Sequence, residues 1–291
     1  MPPQSRETIM TTRRDLAGLI GVGAVAAGAL TLASGSARAQ AAGQNTFDRI
    51  VANKKMRLGA VTSSAPWFVK DPASGKWGGH FYTIGAALAK DMDVELELVE
   101  TTWGNAVLDL QSDKIDIMFG LNPTPKRAMA VDFSNPAYDS ALVIVAKPGF
   151  EPKAWADLNK PEVKISVDLG SAHDQIATLL CPKAQITRFK TINEAMLALK
   201  TGRVDAQCIF WMGGVRAVKA DPALGKVIVP QPFFGSTSNA AVRREPDKTW
   251  LFFVNTWIGY ARGLGLVRSA VVESLEQVGV KPEDIPAGIT L

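Results

Sequence analysis

Two short clusters in this chain pair residue types and spacing in a way that can hold an anion. In Thr124-Pro125-Lys126-Arg127 the threonine is suited to cap a helix and the proline to open it, where no N–H is needed. Arg127 would then project from the first turn. A guanidinium there can grip a carboxylate through two parallel hydrogen bonds, and the positive end of the helix adds to the attraction. Most arginines are simply solvated at a surface, so these four residues leave both uses open. Ser171-Ala172-His173-Asp174 carries a second capping pattern, a hydroxyl followed three residues later by an acid. Its cap is compatible with a plain helix start and with an anion site. The chain has 2 histidines. These are His80 and His173, far apart and in no ligand-spaced cluster with cysteines or paired carboxylates, so each is expected as a polar rim residue. No metal and no cofactor are implied. Cys181 and Cys208 can form a disulfide or stay as two buried thiols, and the sequence leaves that open.

These clusters must be positioned by the elements around them. Met56–Val61 reads as a buried strand after a polar leader, Phe81–Met92 as a helix, Val94–Val99 as a strand, Asn105–Gln111 as a helix and Ile115–Gly120 as a strand. The alternation restarts with strands at Lys164–Val167, Gln185–Phe189 and Asp205–Phe210, and helices at Ala172–Leu180, Asn193–Lys200 and Met212–Lys219. Strands alternating with helices predict a parallel sheet, here as two α/β units in tandem. Extended segments at Ala141–Val145 and Asn239–Val242 suggest two crossings between the units. The helices Thr249–Gly263 and Leu266–Val278 are expected to pack back on the first unit, with Trp250, Phe253 and Trp257 in its core. Two lobes joined this way leave a cleft at the strand ends, where helix N-termini present donors.

The first residues read as an export signal. A polar start with Arg13-Arg14 precedes the small, apolar run Leu16–Ala33, and Ala37-Arg38-Ala39 offers a cleavage site before Gln40. The arginine pair resembles a twin-arginine signal, although Ala17 and Gly18 depart from the fuller pattern. The expected destination is the periplasm. The formal charge is +4, and the signal region's four arginines and two acids contribute about half of it, so the mature protein is close to neutral. No basic block or basic-aromatic stripe suits a phosphate backbone, and nucleic acid is not an expected partner.

The mature chain resembles the polar amino-acid type of periplasmic solute-binding protein, solute-binding family 3, which serves ABC importers. The resemblance rests on Trp103-Gly104-Asn105, Leu110-Gln111-Ser112-Asp113-Lys114-Ile115-Asp116, Thr124-Pro125-Lys126-Arg127, Asp132-Phe133-Ser134-Asn135-Pro136, Gly170-Ser171 and Thr201-Gly202-Arg203-Val204-Asp205-Ala206. It implies an α/β, periplasmic-binding-protein-like fold with two lobes, a two-stranded hinge and a ligand cleft. The expected divisions are a signal peptide at 1–39, lobe one at 40–140, the hinge at 141–146, lobe two at 147–235, the returning hinge at 236–243 and lobe-one helices at 244–291. It also implies that Arg127 holds the ligand's α-carboxylate, that Gly170 and Ser171 close over it from lobe two, and that Trp103 forms an apolar wall. Gly120, Asn122 and Thr124 are contacts by their place in the motif.

Other positions depart from the family. The carboxylate that usually receives an α-ammonium is replaced by Phe210, and the usual covering aromatic by Ser64 with Trp67 nearby. An unpaired ammonium in a closed cleft costs several kcal/mol, so either Asp168 replaces the lost acid or the ligand has no ammonium. The expected function is a monomeric binding protein that closes over a small carboxylate, an amino acid or related organic acid, and delivers it to membrane permease subunits. The alternatives are a cyclohexadienyl-dehydratase-like enzyme, for which Asp168 or His173 would have to supply the acid, and a ligand sensor for a membrane partner.

Overall fold

The computed structural model describes residues 44–287 and 289, and the expected signal peptide lies outside them. The first described element corrects the expected polar leader. Thr46–Asn53 is a helix (α1), capped by Asn45, whose side-chain oxygen accepts from the Asp48 N–H at 2.8 Å. Its start is fixed from far along the chain, because Thr46 donates to Glu245 and Asn45 to Asp247.

Strand β1 (Lys55–Ala60) lies parallel to β5 (Glu95–Glu100), with helix α2 (His80–Asp91) between them in the chain. Between β1 and α2 the chain forms a small antiparallel sheet of β2 (Ser63–Ser64), β3 (Phe68–Lys70) and β4 (Trp77–Gly78). No periodic pattern announces it. Helices α3 (Ala106–Gln111) and α4 (Pro125–Ala128) flank β6 (Met118–Phe119).

The expected segment at Ala141–Val145 is the end of a 16-residue strand, β7 (Val131–Ala146). Helix α5 (Trp155–Leu158) follows, then β8 (Lys164–Asp168), α6 (Ala172–Leu180), β9 (Gln185–Phe189), α7 (Ile192–Lys200), β10 (Ala206–Phe210), α8 (Trp211–Ala220), β11 (Lys226–Ile228) and β12 (Gly235–Arg243). The strand order is β6-β12-β7-β10-β8-β9, with β11 also on β7. The sheet is mixed rather than wholly parallel. β8, β9 and β10 run parallel, whereas β7 is antiparallel to β10, β11 and β12. Along β7, Val131 to Ala141 pair with β12, and Leu142 to Ala146 pair with β10 and β11. One strand therefore belongs to both halves of the fold, because its partner changes without a break in the chain.

Helices α9 (Thr249–Gly263) and α10 (Leu266–Gln277) return to elements from early in the chain. Trp250 Nε1 donates to Asp116 O at 3.0 Å, Trp257 Nε1 to Asp91 Oδ2 at 2.7 Å, and Ser274 Oγ to Pro66 O at 2.8 Å. Trp250 also stacks on Phe253, with ring centroids 6.0 Å apart. Burial of such rings is among the largest single contributions to a core, on the order of 1.5–3 kcal/mol for a Phe-sized side chain. Among the described residues no helix is long and apolar enough to cross a membrane.

Candidate functional site

The turns that end β6, β8 and β10 converge with β7 and β12 on a narrow cleft. Its wall comprises Trp67, Trp103, Gly120, Asn122, Arg127, Tyr138, Ser140, Ser171, Ala172, His173, Phe210 and Ser238. Aromatic packing stiffens one side: Phe68 lies 6.3 Å from Trp103 and 5.6 Å from Phe81, and Phe81 lies 6.0 Å from Tyr138. Gly120 has φ +79°, and a Cβ there would meet the Phe81 ring at 2.1 Å, so this turn can pass over the ring only as glycine.

Arg127 reaches the cleft as its local sequence predicts. Thr124 caps α4, its hydroxyl accepting the Arg127 N–H at 3.3 Å, and Pro125 opens the helix. Arg127 is 6 % exposed and its guanidinium hydrogen-bonds only to carbonyls: Nη1 donates to Asn122 O at 3.0 Å, and Nη2 to Gly170 O at 3.0 Å and Trp103 O at 3.5 Å. The Gly170 bond joins the turn after β8 to α4. Gly170 and Gly104 also approach closely, since a Cβ on Gly170 would stand 3.0 Å from the Gly104 Cα. Burial pulls the Arg127 pKa down to about 10, against the opposing charge of Asp168.

Facing this cation is a second buried group. Asp168 ends β8, and its Oδ1 accepts from His173 Nδ1 at 2.8 Å. The His173 ring is held edge-on by Phe210, with centroids 4.6 Å apart. Ser171 caps α6 by accepting the Asp174 N–H at 3.1 Å, and its own N–H donates to Asp168 O. The first N–H groups of α6 have no intrahelical partner and open at the cleft, where Ala172 and His173 line the wall.

Of the residues singled out from the sequence, Trp67, Trp103, Gly120, Asn122, Arg127, Ser171 and Phe210 stand on the wall. Thr124 supports it as a cap, Gly170 through its carbonyl, and Asp168 from behind His173. Ser64 is buried in β2 and is not among the lining residues. Tyr138, Ser140 and Ser238 were not foreseen. The first two stand two residues apart on β7, whose early part alternates too poorly in sequence for them to be read.

Neither histidine is the rim residue the sequence suggested. His173 is buried in the wall, and His80 lies fully buried behind Tyr138. His80 Nε2 is 2.9 Å from Tyr138 Oη and Nδ1 is 3.1 Å from Ser274 Oγ. Because the Ser274 hydroxyl donates to Pro66 O, His80 Nδ1 donates to Ser274, and Nε2 accepts from Tyr138. Burial pushes the His80 pKa down to about 3, so the ring is neutral and braces Tyr138. Cys181 and Cys208 are both buried free thiols. Burial raises the pKa of each, Cys181 to about 11.

Two α/β halves sharing long strands around a cleft lined by a buried arginine have the architecture of a bilobal binding protein. Comparison with known proteins agrees. Residues 56–161 match the model of the bacterial extracellular solute-binding proteins, family 3. The chain is similar to "ABC transporter arginine-binding protein 1" of Escherichia coli (strain K12), 29% identical over 203 residues, which are 67% of this chain and 80% of that protein. It is also similar to "Cyclohexadienyl dehydratase" of Pseudomonas aeruginosa, 24% identical over 248 residues, covering 84% of this chain and 90% of that one. Among solved structures, the ancestral amino acid-binding protein AncCDT-1, a precursor of cyclohexadienyl dehydratase, superposes with TM-score 0.72 at 30% identity. That match covers 80% of this chain and all of the other. The chain belongs to the bacterial extracellular solute-binding proteins, family 3.

Proposed function

We propose that this protein is the periplasmic substrate-binding receptor of an ABC importer, a monomer that closes over a small carboxylate-bearing ligand. The observation that carries this reading is Arg127. It is a cleft-lining guanidinium bonded only to neutral carbonyls, beside the opening turn of α6. A ligand carboxylate would supply the strong acceptor that these carbonyls only approximate, with the α6 N-terminus adding to the attraction. The turn after β8 and the residues of β6 and α4 would close on it as two jaws. β7 and β12 would serve as the hinge, since β7 changes partner between Ala141 and Leu142. Export by the N-terminal signal, capture in the periplasm and delivery to permease subunits complete the reading.

The test is a thermal-shift screen of ligand-stripped mature protein against amino acids and their hydroxy, oxo and unsubstituted acid counterparts. A ligand present at a hundred times its Kd stabilises by about 2.7 kcal/mol, an easily read rise in Tm. Failure of every carboxylate to raise Tm would sink the proposal. A second reading, a dehydratase acting on a cyclic dienyl acid, draws on the Pseudomonas relative and on the Asp168–His173 pair as a proton-transfer group. Turnover of such an acid by the purified protein would favour it over the receptor.

A further inference from the structure

Among the side chains that line the cleft, one holds a buried polar atom left without a hydrogen-bond partner. Several buried side-chain atoms among the described residues lack a hydrogen-bond partner: in Ser64, Asp168, His173, Gln207, Trp211, Asn239 and Arg243. Of these residues only His173 lines the cleft, and its unpartnered atom is Nε2. The ring cannot turn away. Nδ1 is held at 2.8 Å by Asp168, and Phe210 packs edge-on against its face. A neutral imidazole whose Nδ1 faces a carboxylate carries its proton there, which makes Nε2 an acceptor. Burying that lone pair costs about 1–3 kcal/mol unless a donor meets it.

We propose that His173, oriented by Asp168, selects ligands carrying a hydrogen-bond donor, an ammonium or a hydroxyl, on the carbon next to the carboxylate held by Arg127. The proposal rests on the reading of Arg127 as the carboxylate grip. His173 and Arg127 line the same cleft and are joined through one turn, since Gly170 O accepts from Arg127 Nη2 and His173 stands three residues further on in the first turn of α6. Phe210, on the same wall, has no polar atom to offer the donor, and among the lining side chains His173 is the one with a buried polar atom left unpartnered. The charge of Asp168 reaches the ligand through that ring rather than by direct contact. A 2-oxo acid presents an oxygen to the Nε2 lone pair and is rejected. An acid with only hydrogens on that carbon leaves the lone pair unmet. The expected ligands are therefore amino or 2-hydroxy acids.

The experiment is calorimetric titration of ligand-stripped mature protein with three matched series. These are L-alanine, lactate, pyruvate and propanoate; L-glutamate, 2-hydroxyglutarate, 2-oxoglutarate and glutarate; and L-phenylalanine, phenyllactate, phenylpyruvate and 3-phenylpropanoate. In the series whose side chain fits, the wild type should bind the amino or hydroxy member about ten- to hundredfold more tightly than the oxo and unsubstituted members. His173→Phe should erase that preference, weakening the donor-bearing members and leaving the other two within threefold. His173→Gln, which places an amide oxygen near the Nε2 position, should restore part of it.

Equal weakening of all four members by His173→Phe, or wild-type binding of the oxo acid as tight as that of its donor-bearing partners, overturns the proposal. The wild-type ranking decides even where the Phe variant does not fold. Binding by no member overturns the carboxylate reading and this proposal with it. If Arg127→Ala leaves affinities unchanged while His173→Phe still weakens only the donor-bearing members, the grip is misassigned and the role of His173 stands.

Discussion

Two arginine clusters in this molecule use the same residue types to opposite ends. Beneath β1, Arg57 and Arg49 both pair with Asp113 and Asp116, and the Asp116 carboxylate, fully buried, also accepts the Arg57 backbone N–H at 2.7 Å. Burial works against the Arg57 charge, but the hydrogen bond and charge of Asp116, with Asp113, more than offset it and raise the pKa above the ordinary arginine value. In the cleft, Arg127 is more deeply buried, has only carbonyls within hydrogen-bond reach, and its pKa falls. Where the chain neutralises its own cation the cluster holds the fold. Where it leaves the cation hydrogen-bonded only to carbonyls, the function proposed above makes the missing half a ligand's carboxylate.

The largest effect that could break this contrast is on stability. Asp116→Ala removes the buried carboxylate that two arginines share, and the expected loss is about 3 kcal/mol, near the low end for a broken buried pair because both arginines keep Asp113 and some solvent contact. Urea unfolding should show that loss while ligand affinity stays within twofold. Weaker binding without a stability change would place Asp116 in the wrong class.

Arg127→Ala should do the reverse. Titration should show a loss of about hundredfold or more in carboxylate affinity, and urea unfolding of the unliganded protein a smaller change than Asp116→Ala produces. A threefold or smaller change in affinity would remove Arg127 from the ligand's contacts.

The smallest effect at neutral pH concerns His80, a buried polar group fully partnered by Tyr138 and Ser274. Its folded pKa, about 3, lies below the unfolded value of 6.5. The unfolded chain therefore takes up a proton first as pH falls. The stability associated with neutral His80 is complete above pH 6.5 and declines toward pH 3, by at most about 1.4 kcal/mol per pH unit. His80→Gln, which keeps two hydrogen bonds without titrating, should flatten the acid limb of the stability profile. An unchanged limb would mean that His80 already carries its proton in the folded state.

The alternation of elements was legible because it is local. Ala172–Leu180 and Thr249–Gly263 have the bounds that apolar spacing assigns them. What escaped depended on distant partners. α1 starts where Asn45 and Thr46 meet Asp247 and Glu245, some two hundred residues away. The first part of β7 contains Pro136 and alternates poorly, and its extended form comes from pairing with β12. The same divide runs through the cleft. Thr124 and Pro125 position Arg127 from within one turn, so that residue could be found by reading. His173 looked ordinary because Asp168 and Phe210, which fix its ring, come from two different strands. Tyr138 was invisible for a similar reason, since its brace comes from α2 and α10.

β7 also bears on how such a molecule can move. With no flexible loop where its pairing passes from β12 to β10 and β11, any rotation of one half against the other must be taken up as torsion along a continuous ribbon. A torsion bar of this kind shares the deformation among many backbone angles and has no single weak point. Point substitutions along it should therefore detune its stiffness rather than cut the linkage.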